Sequence, residues 1–198
     1  MRKNVIREIL SSPGRFLAIL LIVALGVGFY SGLCICQETM VSSMDRYWNQ
    51  QNLYDIRLIS TLGFDEDELQ NIQRQSGVNA AEGGYAADVL VSTPNAADGE
   101  EAVHIQSITG QINVPELLQG SLPGAADECL ADDAAFDESD IGSKITVSSD
   151  NTKDTLDLLK EKTFTITGIC RSRLYMNAER GNTDLGSGRL SAYILVPQ

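Results

Sequence analysis

The hydrophobic pattern changes sharply along this chain of 198 residues. Residues 16–36 (FLAILLIVALGVGFYSGLCIC) form an apolar run without a charged side chain, whereas later apolar residues are interspersed with polar ones. At about 1.5 Å per residue, the run makes a helix of roughly 31 Å, and the hydrocarbon core of a bilayer is about 30 Å thick. We therefore predict a transmembrane helix over residues 16–36.

Charged residues around this run predict its orientation. Residues 1–15 hold Arg2, Lys3, Arg7 and Arg15 against a single acid, Glu8. Residues 37–198 hold 26 acidic and 11 basic side chains. Because lysine and arginine near a span mark its cytoplasmic side, we expect a cytoplasmic segment over residues 1–15 and an extracytoplasmic location for the rest. The acidic balance argues against binding of nucleic acid or anionic lipid headgroups.

A cleaved secretory signal would have the same basic start. Ala24-Leu25-Gly26 is an acceptable cleavage site, but the apolar run continues for ten residues beyond Gly26. A signal peptide usually turns polar after about 7–15 apolar residues, so an anchor is the preferred interpretation. A lipoprotein signal fits less well, because Cys34 and Cys36 follow the large residues Leu33 and Ile35.

Small residues recur every four positions in the run, at Ala24, Gly28 and Gly32. This spacing puts them on one helix face, where they would let a second membrane helix approach closely. The alternative is that glycine is simply common in membrane helices. Residues 37–51 then lack proline and glycine and carry Met40, Met44 and Tyr47/Trp48 at helical spacing. We expect the helix to continue as a stalk over residues 37–52.

The remaining residues, 53–198, have the pattern of one α+β domain. Short alternating runs predict strands, and they lie at Leu53–Ser60, Tyr85–Ser92, His104–Ile108, Lys144–Ser148, Thr163–Cys170 and Leu190–Val196. The first two, with a helix between them, would form a strand-helix-strand unit. A helical turn is expected at Leu156–Leu159, and residues 181–188 (GNTDLGSG) are expected to form a mobile loop.

The helix between the first two strands has clear end signals. Asp65 as N-cap with Glu68 three positions later predicts a capping box, and Phe64 with Leu69 predicts a hydrophobic staple. Gly77 is the expected C-terminal stop. The acids at 65–68 lack the spacing of a calcium loop, so we interpret them as capping groups.

Catalytic, cofactor and metal sites are not indicated by any motif. The single histidine, His104, lies in an apolar alternation, where a structural role is the default. The cysteines lack metal-ligand spacing; Cys129 and Cys170 could form a disulfide, but two unpaired buried thiols are preferred. We expect no enzyme, no cofactor and no metal. The loops at 94–101 and 180–189 are candidate functional surfaces by exposure only.

A series of stretches, in the same order, resembles the beginning of an FtsX/MacB-like ABC transporter permease. The opening at 4–33 is similar to that family's short cytoplasmic helix and first span, and residues 54–78 resemble the start of its extracytoplasmic domain. Three later stretches resemble a loop with a glutamate-bearing strand, a glycine-started strand and a Val/Thr-x-Gly-Ile strand. They are LLQGSLPGAADECLAD, IGSKITV and KTFTITGICRSRLYM. Residues 179–197 resemble a segment of the large Gram-positive-type members.

The resemblance implies a MacB-like periplasmic core domain on a subunit in the plasma membrane of a bacterium. A separate cytoplasmic ATPase would drive the spans, and the stalk would pass the movement to the outer domain, for export or extraction of peptides, lipids or other amphiphiles. Such permeases have further spans, so the chain is predicted to be the N-terminal portion of one, with Ala24, Gly28 and Gly32 facing the others. The alternatives are a single-pass envelope binding or sensor protein and, least favoured, a secreted hydrolase with an unrecognised carboxylate site.

Overall fold

The computed structural model describes residues 11–50, 52–94 and 99–198. The chain divides into two compact units, with the boundary between Tyr47 and Trp48. Arg2, Lys3 and Arg7, on which the predicted orientation depends, lie outside the described residues.

A single long helix, α1 (Pro13–Asn49), contains the whole predicted span and continues beyond it. The helical continuation expected for the stalk is therefore confirmed as far as Asn49. None of its residues is buried, and Leu25 and Phe29 are 77% and 70% exposed. A helix that is apolar on all sides suits a lipid environment, and α1 is long and apolar enough to span a membrane. A signal sequence would pass the same test, so the preference for an anchor stays a prediction.

In the part of the second unit that the structure describes, there are seven strands and three short helices. The strands are β1 (Ala86–Ser92), β2 (Glu101–Ser107), β3 (Glu116–Gly120), β4 (Glu128–Asp132), β5 (Lys144–Val147), β6 (Thr163–Arg171) and β7 (Ala192–Val196). The helices are α2 (Glu66–Gln73), a 3₁₀ turn (Glu138–Asp140) and α3 (Lys153–Leu158). The expected mixed α+β class is confirmed at this level.

Six of the strands form a closed ring of pairings. Around the ring, β1 pairs with β2, β2 with β7, β7 with β4, β4 with β6, β6 with β5, and β5 with β1. The pairs β2–β7 and β4–β6 are parallel and the others are antiparallel. Because each of these strands has a neighbour on both sides, the sheet is a barrel. β3 lies outside the ring, antiparallel to the second half of β6.

Alternate residues of the ring strands form the apolar interior of the barrel. The pattern follows the two-residue period of a strand, as with Val89 and Val91 of β1 or Val103 and Ile105 of β2. All of these side chains are at most 3% exposed. Burial of a Val or Ile side chain contributes about 1.5–3 kcal/mol, so this interior is the main source of stability.

Five predicted strands are confirmed, because β1, β2, β5, β6 and β7 coincide with them within a few residues. The helical turn predicted at Leu156–Leu159 falls largely within α3. The capping box of α2 is confirmed as well: Asp65 Oδ1 accepts from the Glu68 amide at 2.7 Å, and the Glu68 carboxylate accepts from the Asp65 amide at 3.0 Å.

The predicted end of α2 at Gly77 is wrong. The helix ends at Gln73, and its C-cap is Arg74. The Gln75 amide then donates to the Ile72 carbonyl, a tighter bond than that of an α-helix, and the chain leaves the helix through turns. Gly77, with a φ of 92°, ends these turns and not the helix itself.

The strand predicted at Leu53–Ser60 is also wrong. Residues 53–60 are neither helix nor strand, and no described strand pairs with them. Ile56 and Ile59 are 78% and 77% exposed, although their spacing resembles that of buried strand residues. An alternating sequence becomes a strand only where a neighbour completes the ladder of hydrogen bonds. The strand-helix-strand unit therefore reduces to α2 followed by β1.

Candidate functional site

The outward-facing side of the barrel carries a continuous polar and aromatic cluster, which we call the outer row. On adjacent strands, Asp88 of β1 lies opposite His104 of β2, and His104 lies opposite Tyr193 of β7. β4, which ends at Asp132, is the next strand around the ring. The segment between β6 and β7 adds two further side chains. The outer row consists of Asp88, His104, Tyr193, Asp132, Tyr175 and Arg180.

Asp132 and Arg180 form a buried ion pair at one end of the outer row. Their side chains are 0% and 7% exposed. Arg180 Nε lies 2.5 Å from Asp132 Oδ2, and Arg180 Nη2 lies 2.7 Å from Oδ1, so the contact is bidentate. Arg180 Nη1 also donates to the carbonyls of Tyr175 and Asn177. The hydrogen bonds to Asp132 raise the pKa of Arg180 despite its burial, so the guanidinium stays charged.

Two stacked tyrosines occupy the middle of the row. The rings of Tyr175 and Tyr193 are 4.3 Å apart and nearly parallel, at 11°, and the guanidinium carbon of Arg180 lies 5.6 Å from the centre of the Tyr193 ring. The Tyr193 hydroxyl accepts from the Ser172 amide and donates to the Cys170 carbonyl. Burial raises the pKa of Tyr175 to about 12 and that of Tyr193 further, so both phenols are protonated at neutral pH.

The other end of the row, Asp88 and His104, is partly open to solvent. His104 Nδ1 lies 2.6 Å from Asp88 Oδ1, and the two side chains are 16% and 30% exposed. The His104 ring approaches Tyr175 edge-on at 6.4 Å. This end of the row is therefore more accessible to solvent than the buried ion pair at the other end. The default structural role of His104 stays a prediction, but its carboxylate partner was not foreseen.

The loop at 180–189, expected to be exposed, is attached to the barrel at its first residue. The Arg180 side chain is buried against Asp132, so its interpretation as part of an exposed surface is wrong. The rest of the loop is hydrogen-bonded to itself: the Thr183 amide donates to the Gly188 carbonyl, and the Leu190 amide donates to the Gly181 carbonyl. Residues 95–98 of the second candidate surface, the 94–101 loop, lie outside the described residues.

Cys129 and Cys170 lie on opposite sides of the barrel wall. Cys129 belongs to the apolar interior, whereas Cys170 packs with Leu130 and Tyr193 on the outer side. Both are buried free thiols, which confirms the preferred prediction over a disulfide. Burial raises the pKa of each thiol to about 12, so neither is reactive at neutral pH.

The predicted helix-packing residues, Ala24, Gly28 and Gly32, are exposed on α1. A Cβ atom added at Gly28 or Gly32 would meet no side chain or other segment within 4 Å. This face is therefore open, and its contact with further membrane helices stays a prediction.

A carboxylate that sequence analysis missed is bound by three backbone amides. Glu82 Oε1 accepts from the Gly110 amide at 2.6 Å, and Oε2 accepts from the Gln111 and Ile112 amides at 3.0 and 2.9 Å. Partial burial raises the pKa of Glu82, but the three hydrogen bonds outweigh burial, and the net shift is downward. The carboxylate fixes the 110–112 turn, and no local sequence motif predicts this role.

Potential metal ligands do not cluster in the part of the chain that the structure describes, where no group of three or more His, Cys, Asp or Glu side chains is arranged to hold an ion.

Comparison of the sequence with protein-family models and with curated proteins finds no match. The interpretation of the outer row therefore rests on its own chemistry. The buried bidentate ion pair of Asp132 with Arg180 and the stacked rings of Tyr175 and Tyr193 form a clamp that holds the β6–β7 connection on the barrel.

Proposed function

We propose that this chain is the N-terminal portion of a membrane subunit of an FtsX/MacB-like ABC transporter permease. In this proposal, a cytoplasmic ATPase moves the spans, and an extracytoplasmic domain uses the movement to export or extract peptides, lipids or other amphiphiles. The chain itself performs no catalysis. The proposal rests on the sequence resemblance, on the form of α1 and on the strands that carry the resembling motifs.

The continuity of α1 is the observation that carries the proposal. The helix extends 13 residues beyond the apolar run, from Gln37 to Asn49, without a break. At about 1.5 Å per residue, this extension is roughly 20 Å long. A simple membrane anchor has no need of a helical extension, because a flexible linker would serve as well. A continuous helix, in contrast, can pass a displacement of the span to its far end.

The three strand-bearing stretches of the resemblance coincide with β4, β5 and β6. Glu128 begins β4, Gly142 precedes β5, and Gly168-Ile169 lies within β6. Gly168 has a local physical reason, because an added Cβ would lie 2.8 Å from the carbonyl oxygens of Gln119 and Ser121. The glycine of this pattern therefore has a structural reason, because β3 pairs closely with β6 at this point.

Affinity isolation from the source membrane tests this function. We expect the tagged chain to co-purify with further membrane spans and with an ATPase that contains a Gly-Lys-Ser/Thr loop. Gly28→Leu with Gly32→Leu should lose these companions, because leucine side chains would fill the open face. Val23→Leu with Val27→Leu is the matched control and should retain them. Recovery of the chain without an ATPase, under conditions that keep membrane complexes intact, would contradict the proposal.

A second candidate is a single-pass envelope binding or sensor protein. It is favoured by one observation: α1 is the one helix among the described residues that is long and apolar enough to span a membrane. Purification without an ATPase, but with retained attachment to the membrane, is the outcome that would select this candidate.

A further inference from the structure

Residues 53–60, which we call the edge segment, have a strand-like sequence without a strand partner. The apolar side chains of Ile56, Leu58 and Ile59 are 78%, 56% and 77% exposed. The neighbouring helix α2 also buries none of its residues. By contrast, β1 has a similar alternating sequence, pairs with β2 along most of its length and pairs with β5 at Val91 and Ser92. Exposed apolar side chains on an unpaired, strand-forming sequence are the usual mark of an interaction site.

The sequence of the edge segment is complementary to itself in one antiparallel register. When Ile56 lies opposite Ile56 of a second copy, Asp55 lies opposite Arg57 twice, and Tyr54 lies opposite Leu58 twice. Cross-strand pairs of opposite charge and of apolar side chains both stabilise a two-stranded ladder. No other antiparallel register places Asp55 opposite Arg57.

The two registers centred on the residues beside Ile56 are disfavoured by charge. A register centred on Arg57 puts two arginines opposite each other, and one centred on Asp55 puts two aspartates opposite each other. The favoured register also puts Leu53 opposite Ile59, so both faces of the ladder gain apolar contacts. The chain bends at Asp55 in the structure, and pairing would straighten it there.

We propose that the edge segments of two copies of this chain pair as antiparallel strands centred on Ile56, and so join two outer domains into a symmetric dimer. A two-stranded ladder alone is marginal in water. Here α1 would confine both copies to one membrane, which raises their effective concentration and makes a weak ladder sufficient. The proposal does not depend on the ATPase partnership described above.

Cysteine cross-linking of the full chain in membrane vesicles tests the pairing. Ile56→Cys, in a background of Cys34→Ser and Cys36→Ser, should form a disulfide-linked dimer on mild oxidation. Directly opposite Cα atoms are about 4.5–5.5 Å apart, within the range that a disulfide spans. The matched control is Ile59→Cys, at an equally exposed residue. At about 3.3 Å per residue, the two copies of residue 59 would be roughly 20 Å apart and should remain monomeric.

Charge reversal supplies a second readout on the same disulfide. Asp55→Arg or Arg57→Asp alone should lower the dimer yield of Ile56→Cys several-fold, since like charges then face each other. The two reversals together should restore the yield. Because both residues are exposed, these variants do not disturb the barrel interior. Equal cross-linking at residues 56 and 59, no rescue by the double reversal, or cross-linking of Ile56→Cys to a different protein would each overturn the proposal.

Discussion

The interior of the barrel and its outer row are built on the same strands but are stabilised in different ways. Inside, apolar side chains such as Val103 and Ile166 are fully buried, and their packing requires shape but no particular partner. Outside, Asp132 and Arg180 are also buried, but they carry opposite charges, and each charge is stabilised by the other. Loss of interior volume should therefore have a graded cost, whereas loss of one charge should remove the whole clamp.

The largest expected effect follows from Asp132→Ala. This substitution leaves the Arg180 charge buried without its carboxylate, which should lower the free energy of unfolding by about 3–5 kcal/mol. The neighbouring Asp133→Ala is the matched control: its partner, Arg171, is 51% exposed, and the expected loss is about 0–1 kcal/mol. Urea unfolding of the detergent-solubilised chain, followed by circular dichroism, measures both. Equal losses would show that the outer row is no more than a surface contact.

The loss of stability caused by substitutions in the barrel interior should increase with the side-chain volume that is removed. Ile166→Val removes one methylene group and should cost about 0.5–1.5 kcal/mol, whereas Ile166→Ala should cost about 2–5 kcal/mol, because a larger cavity remains. The same urea experiment measures both variants, with Leu158→Ala, at a residue 74% exposed, as the control. If Val and Ala substitutions cost the same, the interior would not be the close-packed core that the structure describes.

Sequence analysis predicted the strands whose alternation is visible locally but missed two others. β3 (Glu116–Gly120) is exposed at all five positions, so it has no alternation to detect. β4 (Glu128–Asp132) is buried along most of its length and ends in an aspartate, which is unusual in a buried strand. Only the resemblance to a permease indicated a strand there. The partner of Asp132, Arg180, lies 48 positions later, where no local pattern can show it.

The opposite error, at the edge segment, has the same physical cause. Leu53–Ser60 alternates as well as Tyr85–Ser92 does, yet only the latter lies between two other strands. The alternation of side chains is local, but the ladder that makes a strand is formed over long distances in the sequence. The closure of the barrel through the parallel pairs β2–β7 and β4–β6 was unpredictable for the same reason.

The alkylation rates of the two buried cysteines report local opening on each side of the barrel wall. In the native chain, Cys129 and Cys170 should both resist alkylation at neutral pH, because burial raises the pKa of each thiol to about 12. Asp132→Ala should release the β6–β7 connection and increase the labelling rate of Cys170 by about 10-fold or more. A decrease of about 1.4 kcal/mol in the free energy of local opening corresponds to a tenfold faster rate. In the same variant, Cys170 should be labelled about 10-fold or more faster than Cys129, because exposure of the interior thiol still requires unfolding of the whole barrel. Mass spectrometry of alkylated peptides measures both rates, and equal rates for the two thiols would indicate global unfolding and contradict a separate clamp.

The smallest expected effect is on the pH dependence of stability. It arises from Glu82, whose carboxylate stabilises the 110–112 turn by accepting hydrogen bonds from three backbone amides. Because its three amide partners hold the pKa of Glu82 below the ordinary value of 4.5, the ionised form is favoured in the folded state. Its contribution to stability is then present above that value and is lost as the pH falls through the lowered pKa. Glu82→Gln should flatten the decline in unfolding free energy between about pH 6 and pH 3, while Glu161→Gln, at an exposed residue, should not. Identical pH profiles for both variants and the parent chain would show that the 110–112 turn is held without the carboxylate charge.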